Sequence, residues 1–158
     1  MDILTTKGQA TLKDEQRAAD IFKKHFPTYQ YLETPKDMPA VVDALLYERE
    51  LMAVVETKCR YDMDYDKFCH AYNCEWLVTF DKINKGAKLA ASLGVCLVGF
   101  LYIVPSDYLL VQKLSDTDGN FIVDIHLRET ETQRTINGGL ITRTNAFINM
   151  KGARVLNG

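Results

Sequence analysis

The sequence lacks the features of a membrane or secreted protein. It has no apolar run of the roughly 18–20 residues that cross a bilayer, and even the segment Val95–Val104 is too short. The N-terminus, Met1-Asp2-Ile3-Leu4, has no basic stretch followed by an apolar one, so a secretory signal is not expected. Cysteines are few and show no paired spacing, which favours reduced thiols in an intracellular protein; they are Cys59, Cys69, Cys74 and Cys96.

The chain also lacks an excess of positive charge, since 19 basic side chains face 21 acidic ones for a net charge of −2. The distribution is uneven. Residues 43–66 carry seven acids against three bases, whereas residues 82–113 carry four lysines against one aspartate, and residues 128–158 carry five bases against two acids. An acidic centre between basic segments suits a metal site bordered by phosphate contacts, although an ordinary solvated surface gives the same pattern.

What the sequence does contain is enough apolar material for a core. With 158 residues and 47% hydrophobic content, a single domain over residues 1–158 is expected, and no repeat, low-complexity tract or linker divides it.

Two neighbouring apolar runs carry charged residues where strands are usually apolar. Asp43 lies inside the run 41–46, and Glu56 and Lys58 end the run 51–58. Charged groups are rarely buried in strands unless they are paired or bind a metal ion. The polar interval 47–50 predicts a hairpin, and the absence of Asn-Gly or Gly-x favours a four-residue loop.

Strand alternation places Glu56 and Lys58 on one face, together with Val54. An even loop would set Leu46 opposite Leu51 and Asp43 opposite Val54, so that Asp43 and Glu56 become diagonal neighbours about 7–8 Å apart. Two carboxylates at that separation can hold one cation, and the Thr57 carbonyl could add a ligand. An odd loop without a bulge would place Asp43 on the opposite face.

This pattern resembles the PD-(D/E)xK nuclease superfamily, whose members share the restriction-endonuclease-like fold. The residues that carry the resemblance are Asp43, a spacer of twelve residues, and Glu56-Thr57-Lys58, with Val42 where the family often has proline. The flanking pattern agrees over roughly residues 8–104. Periodicity predicts a helix over Gly8–Phe26 that ends at Pro27, and further elements at 64–73 (helix), 76–80 (strand), 84–93 (helix) and 95–104 (strand). Residues 76–95 are similar to resolvase-like and Mrr-like members.

The resemblance implies an α/β fold: a restriction-endonuclease-like mixed sheet flanked by helices, with a core of helix, β-hairpin and strand-helix-strand. It also implies a glutamate on the first helix near the metal, and Glu15 matches that position, although Asp14 or Asp20 could be the relevant acid. Beyond residue 105 no counterpart is evident. There, 108–114 and 121–127 around the turn 115–120 predict a C-terminal β-hairpin extension, and the polar segment 129–139 predicts a loop.

The expected chemistry is phosphodiester hydrolysis with Mg²⁺, for which Mn²⁺ should substitute. Mg²⁺ prefers carboxylate oxygen and keeps several waters, which suits Asp43 and Glu56 as firm ligands, with the Thr57 carbonyl and Glu15 as further ones. Lys58 would orient the attacking water or stabilise the phosphate. The residues expected to contact nucleic acid are Arg60, Lys82, Lys85, Lys88, Arg134 and Arg143.

Two functions remain open. The first is a metal-dependent DNA endonuclease of a small phage-type or junction-resolving kind, whose activity is expected to depend on a homodimer or a larger DNA-processing assembly; an exonuclease also stays open. The second is a catalytically silent nucleic-acid-binding or assembly subunit on the same scaffold. The intact set of Asp43, Glu56 and Lys58 favours the enzyme, since a silent copy would be free to lose any of them. At residue level, Glu56 and Lys58 could form a surface ion pair, and residues 142–145 could cap a sheet face instead of contacting a sugar-phosphate backbone.

Overall fold

A computed structural model of the chain describes residues 6–37, 40–134 and 140–158, without the side chains of residues 7, 132–134 and 140–141. A short 3₁₀ helix at Val104–Ser106 accompanies three α-helices and nine strands in these residues. The α-helices and strands are α1 (Thr6–His25), β1 (Gln30–Glu33), β2 (Ala44–Glu48), β3 (Glu50–Arg60), α2 (Tyr65–His70), β4 (Glu75–Thr79), α3 (Phe80–Ser92), β5 (Cys96–Ile103), β6 (Tyr108–Lys113), β7 (Ile125–Arg134), β8 (Leu140–Asn149) and β9 (Arg154–Asn157). No helix in these ranges is long and apolar enough to span a membrane.

The strands form two sheets. The main sheet has the order β1-β2-β3-β5-β6-β9, in which β3 and β5 are parallel and every other neighbouring pair is antiparallel. The second sheet has the order β4-β8-β7 and is antiparallel throughout. The parallel pair requires a crossover connection, which α2, β4 and α3 provide.

Each face of the main sheet is covered by a helix. On one face, α1 buries Ala18, Ile21 and Phe22 against the sheet around Phe100, as the apolar side of an amphipathic helix does. On the other face, α3 packs against the sheet and the second sheet joins the same core. The expected class, an α/β protein with a mixed sheet flanked by helices, is confirmed.

Close packing joins the second sheet to the main one at Gly99 in β5. The fully buried Trp76 of β4 lies over this glycine, and a Cβ atom there would overlap the indole ring and press on Leu114. Glycine at this position therefore lets β4 approach the main sheet closely.

The strand predicted at 76–80 is present as β4, but the expectation that it belongs to the sheet of the predicted strand-helix-strand core is wrong. It pairs with β8 in the second sheet. The edges of the main sheet are formed by β1 and β9, neither of which was predicted; the four residues of β1 are mostly exposed and show no apolar alternation. The last predicted helix also begins earlier, at Phe80 rather than Asn84, and Ile83 in the added turn is fully buried.

The predicted hairpin of 108–114 with 121–127 is wrong. The turn exists, with the Asp116 carboxylate accepting hydrogen bonds from the N–H groups of Asp118 and Asn120 at 2.9 Å. The flanking segments then diverge, because β6 pairs with β5 and β9 whereas β7 begins at Ile125 in the second sheet. Of the predicted loop 129–139, residues 129–134 are strand, and residues 135–139 lie outside the described part of the chain.

Candidate active site

The connection between β2 and β3 differs from the predicted four-residue loop. Only Arg49 separates the strands, in the left-handed conformation with φ of 68°. The register pairs Leu46 with Ala53, not with Leu51 as predicted, because Met52 forms a β-bulge. A connection with an odd number of residues would by itself place Asp43 on the opposite face of the sheet from Glu56. The additional residue in the bulge returns both side chains to the same face, as predicted.

Asp43 is held at the end of this hairpin by backbone contacts. Its N–H donates to the Val55 carbonyl at 2.8 Å, and its Oδ2 accepts the Thr57 N–H at 2.7 Å. The N–H and C=O groups of one strand residue point to the same edge, so the Thr57 carbonyl is also directed toward the edge that Asp43 occupies. Asp43 and the Thr57 carbonyl therefore converge beside Glu56.

Glu56 is buried, with 6% of its surface exposed, on the β3 face that packs toward α3. Its Oε2 has no hydrogen-bond partner in the described part of the chain, and Lys82 Nζ lies 3.6 Å away, just beyond hydrogen-bond distance. Burial, followed by the nearby charge of Asp43, raises the pKa of Glu56 to about 8. The carboxyl group is therefore largely protonated at neutral pH without a metal ion.

Lys58 and Arg60 follow Glu56 on the same face of β3. Lys58 is exposed, and partial desolvation of its ammonium group together with the charge of Arg60 lowers its pKa. Arg60 Nη2 donates to the Leu77 carbonyl at 2.5 Å, so part of its guanidinium group is committed to linking β3 with β4. Lys58 is thus the more available of the two cations for a ligand.

Glu15 reaches the site from α1 through a lysine that the sequence analysis missed. Lys36 Nζ lies 3.6 Å from Glu15 Oε2 and 3.8 Å from Asp43 Oδ1. Burial and the charge of Asp43 raise the pKa of Glu15. No sequence pattern could have found Lys36, because its position depends on the path of the irregular segment after β1.

A cleft of about 1180 Å³ opens between β3, the start of α3 and the second sheet. Glu56 lies in its lining, whereas Asp43 and Glu15 do not. Two acidic side chains line it, Glu56 and Asp81, and Asp81 is paired with Lys85 at 2.9 Å. Five basic side chains line it: Lys58, Arg60, Lys82, Lys85 and Arg143.

The cleft brings together most of the residues expected to contact nucleic acid. Of the six, Arg60, Lys82, Lys85 and Arg143 line it, and β8 adds Thr144 and Asn145. Lys88 is exposed but lies outside the lining, and the Arg134 side chain lies outside the described part of the chain.

The donor set can be tested against the metal ion that the resemblance implies. Within the described residues, no three His, Cys, Asp or Glu side chains are grouped as metal ligands. Mg²⁺, however, is commonly held by one or two carboxylates and keeps several waters. Asp43 and Glu56, whose buried Oε2 makes no hydrogen bond, together with the Thr57 carbonyl therefore fit Mg²⁺ better than a fully protein-ligated ion such as structural Zn²⁺.

Comparisons with family profiles, curated proteins and solved structures found no match for this chain. The resemblance to PD-(D/E)xK nucleases stays a prediction that rests on the residues and their geometry.

Proposed function

We propose that the protein is a metal-dependent deoxyribonuclease that hydrolyses phosphodiester bonds, acting as an endonuclease. The observation that supports this most is Glu56: a buried carboxyl group whose Oε2 makes no hydrogen bond and only a 3.6 Å ion pair with Lys82, beside a second carboxylate, in the lining of a basic cleft. A buried polar atom without a hydrogen bond costs about 1–3 kcal/mol, and a bound ion would offset that cost.

Asp43 and Glu56 would hold Mg²⁺ or Mn²⁺, with the Thr57 carbonyl as a further ligand. The ion would polarise a phosphoryl oxygen, lower the pKa of a bound water and neutralise developing charge. Lys58 is exposed in the cleft two residues beyond Glu56, where its ammonium group would stabilise negative charge on the phosphate.

The charges of the cleft favour a polyanionic substrate. Five cations line it, Glu56 is largely protonated without metal, and Asp81 is neutralised by Lys85. The cleft is therefore positive although the whole chain carries a net charge of −2. Backbone phosphates of DNA would contact Lys85 of α3 and Arg143 of β8, in the same cleft as Lys58 and Glu56.

A catalytically silent DNA-binding or assembly subunit is the second candidate. Both candidate ligands have a lysine nearby without any metal: Lys82 beside Glu56 and Lys36 beside Asp43. Such pairing would stabilise a site that never binds an ion, so a direct assay has to separate the two functions.

The test is a cleavage assay on supercoiled, linear, single-stranded and branched DNA with Mg²⁺ or Mn²⁺. The parent should nick or linearise supercoiled DNA, as an endonuclease does, and Glu56→Gln and Asp43→Asn should lose cleavage while remaining folded. Glu50→Gln is the matched control, because this exposed glutamate lies at the other end of β3. Parent cleavage that survives in Glu56→Gln would end this assignment, and DNA binding without cleavage would favour the silent subunit.

A further inference from the structure

Lys36 bridges two carboxylates that come from different elements. Its Nζ lies 3.6 Å from Glu15 Oε2 on α1 and 3.8 Å from Asp43 Oδ1 just before β2. The side chains of all three residues are only 19–24% exposed, so solvent and salt screen their charges less than at an open surface. The predicted nuclease motif contains no counterpart of this lysine.

We propose that Lys36 is a built-in counter-cation that competes with the divalent metal ion for Asp43, and that Glu15 holds this lysine instead of a second metal ion. This role rests on the proposed function, because it concerns the ion that Asp43 and Glu56 would bind. It changes the part expected of Glu15 from metal ligand to positioning residue.

The two oxygens of Asp43 have different partners. Oδ2 accepts the Thr57 N–H at 2.7 Å, a short charge-assisted hydrogen bond that orients the carboxylate. Oδ1 faces Lys36 and is the oxygen left for a metal ion. The ammonium group and the metal ion therefore face the same oxygen, and the repulsion between the two positive charges weakens binding of the ion.

The local charges favour one divalent ion per chain. Three carboxyl groups, those of Glu15, Asp43 and Glu56, face two ammonium groups, those of Lys36 and Lys82. Even with every carboxyl group ionised, one divalent ion turns the net charge of this group positive. A second divalent ion would add to this excess of positive charge in a half-buried site, which is strongly unfavourable.

The experiment is calorimetric titration of Mn²⁺ into the metal-free parent, Lys36→Met, Lys36→Arg and Lys113→Met. The parent should bind one ion. Lys36→Met should bind it more tightly by on the order of tenfold, because a competing charge is gone. Lys36→Arg keeps the charge and should bind like the parent, as should Lys113→Met, whose lysine is exposed outside the cleft. Unchanged affinity in Lys36→Met, or two ions bound by the parent, overturns the proposal.

Thermal unfolding gives a second readout. Without metal, Lys36→Met should unfold at a lower temperature than the parent, because Glu15 and Asp43 then repel each other, and added Mn²⁺ should raise its Tm by more than it raises that of the parent. Should Lys36→Met fail to fold, Lys36→Gln serves in both measurements. If the parent neither binds Mn²⁺ nor cleaves DNA, the proposed function is refuted. If the parent does both and the Lys36 variant has the same Mn²⁺ affinity as the parent, only the role of Lys36 is refuted.

Discussion

At the scale of single residues, the buried Glu56 carboxyl group is both a source of instability in the metal-free protein and the main proposed metal ligand. Its carboxyl group is buried next to Asp43, and both effects favour the protonated form. A bound divalent ion would replace that proton, and removal of the proton without an ion leaves a buried negative charge beside another. This conflict should be visible in the stability of the metal-free protein.

The pKa of Glu56 predicts that metal-free stability falls as pH rises. The folded-state pKa of about 8 lies above the ordinary value of 4.5, so between these values the native state binds more protons than the unfolded state. Stability from this group is complete below about pH 4.5 and is lost as pH rises through about 8. In urea unfolding at a series of pH values, Glu56→Gln should flatten this decline, whereas Glu50→Gln should keep it. Parallel pH profiles for the parent and Glu56→Gln would contradict the burial effect.

Lys58 is expected to act in catalysis with little role in stability. It is exposed, and none of the ion pairs within 4 Å in the described residues involves it. Lys58→Ala should therefore keep its Tm and bind Mn²⁺ at least as well as the parent, yet cleave more slowly by on the order of 10²-fold or more. Single-turnover cleavage and Mn²⁺ titration measure the two effects, with Lys113→Ala as control. Loss of Mn²⁺ binding with retained turnover would make Lys58 structural.

At the scale of elements, the bulge at Met52 determines which residues meet. The connection at Arg49 is one residue long, so the extra residue in β3 keeps Asp43 and Glu56 on compatible faces. The side chain of Met52 contributes little to this, since 38% of its surface is exposed. The backbone position matters more than the residue type.

Deletion of Met52 should therefore be far more damaging than its substitution. Met52→Ala should change stability by less than about 1 kcal/mol and leave cleavage intact. Deletion removes the bulge, so that either the buried side chains of β2 and β3 or the carboxylates of Asp43 and Glu56 would point to the wrong face of the sheet. The free energy of unfolding should fall by at least about 2–5 kcal/mol, similar to the loss of a large core side chain. Thermal unfolding and the cleavage assay measure both. A deletion variant with parental Tm and activity would show that the register is set elsewhere.

At the scale of the whole molecule, the basic residues gather in one cleft although they are scattered along the chain. Lys85 and Arg143 come from α3 and β8, in different parts of the sequence. The overall charge of −2 gives no long-range attraction to DNA, so binding by the isolated chain should be weak and dependent on salt. Efficient cleavage is then expected to depend on dimerisation or on a larger assembly that delivers DNA.

The cleft makes the expected DNA contacts testable one by one. Lys85→Ala and Arg143→Ala should each weaken DNA binding for all sequences alike and reduce the slope of log K against log salt by about one unit. Lys88→Ala, outside the cleft, should leave both unchanged. Fluorescence anisotropy with a labelled oligonucleotide at several salt concentrations measures this. An equal effect of all three substitutions would indicate a diffuse surface attraction without a defined cleft.

Most helices and strands were predictable from the sequence because they follow from local pattern. The apolar stripe that ends before Pro27 identified α1, and period-two alternation placed Glu56 and Lys58 on one face of β3. The convergence of Asp43 and Glu56 was also predicted, but through a loop and register that are wrong, since no sequence signal distinguished a one-residue connection with a bulge from a longer even loop.

Contacts between remote segments were decided only by the tertiary structure. Lys36, Lys82 and Arg143 reach the site from an irregular segment, a helix and a second sheet, and their positions depend on how these elements pack. The same holds for β4, whose local pattern predicts a strand without saying which sheet it joins; the space above Gly99 that accepts Trp76 determines that. Periodicity is a property of residues close together in the sequence. A site is assembled from residues far apart in the sequence, and these meet only when their helices and strands pack into the folded core.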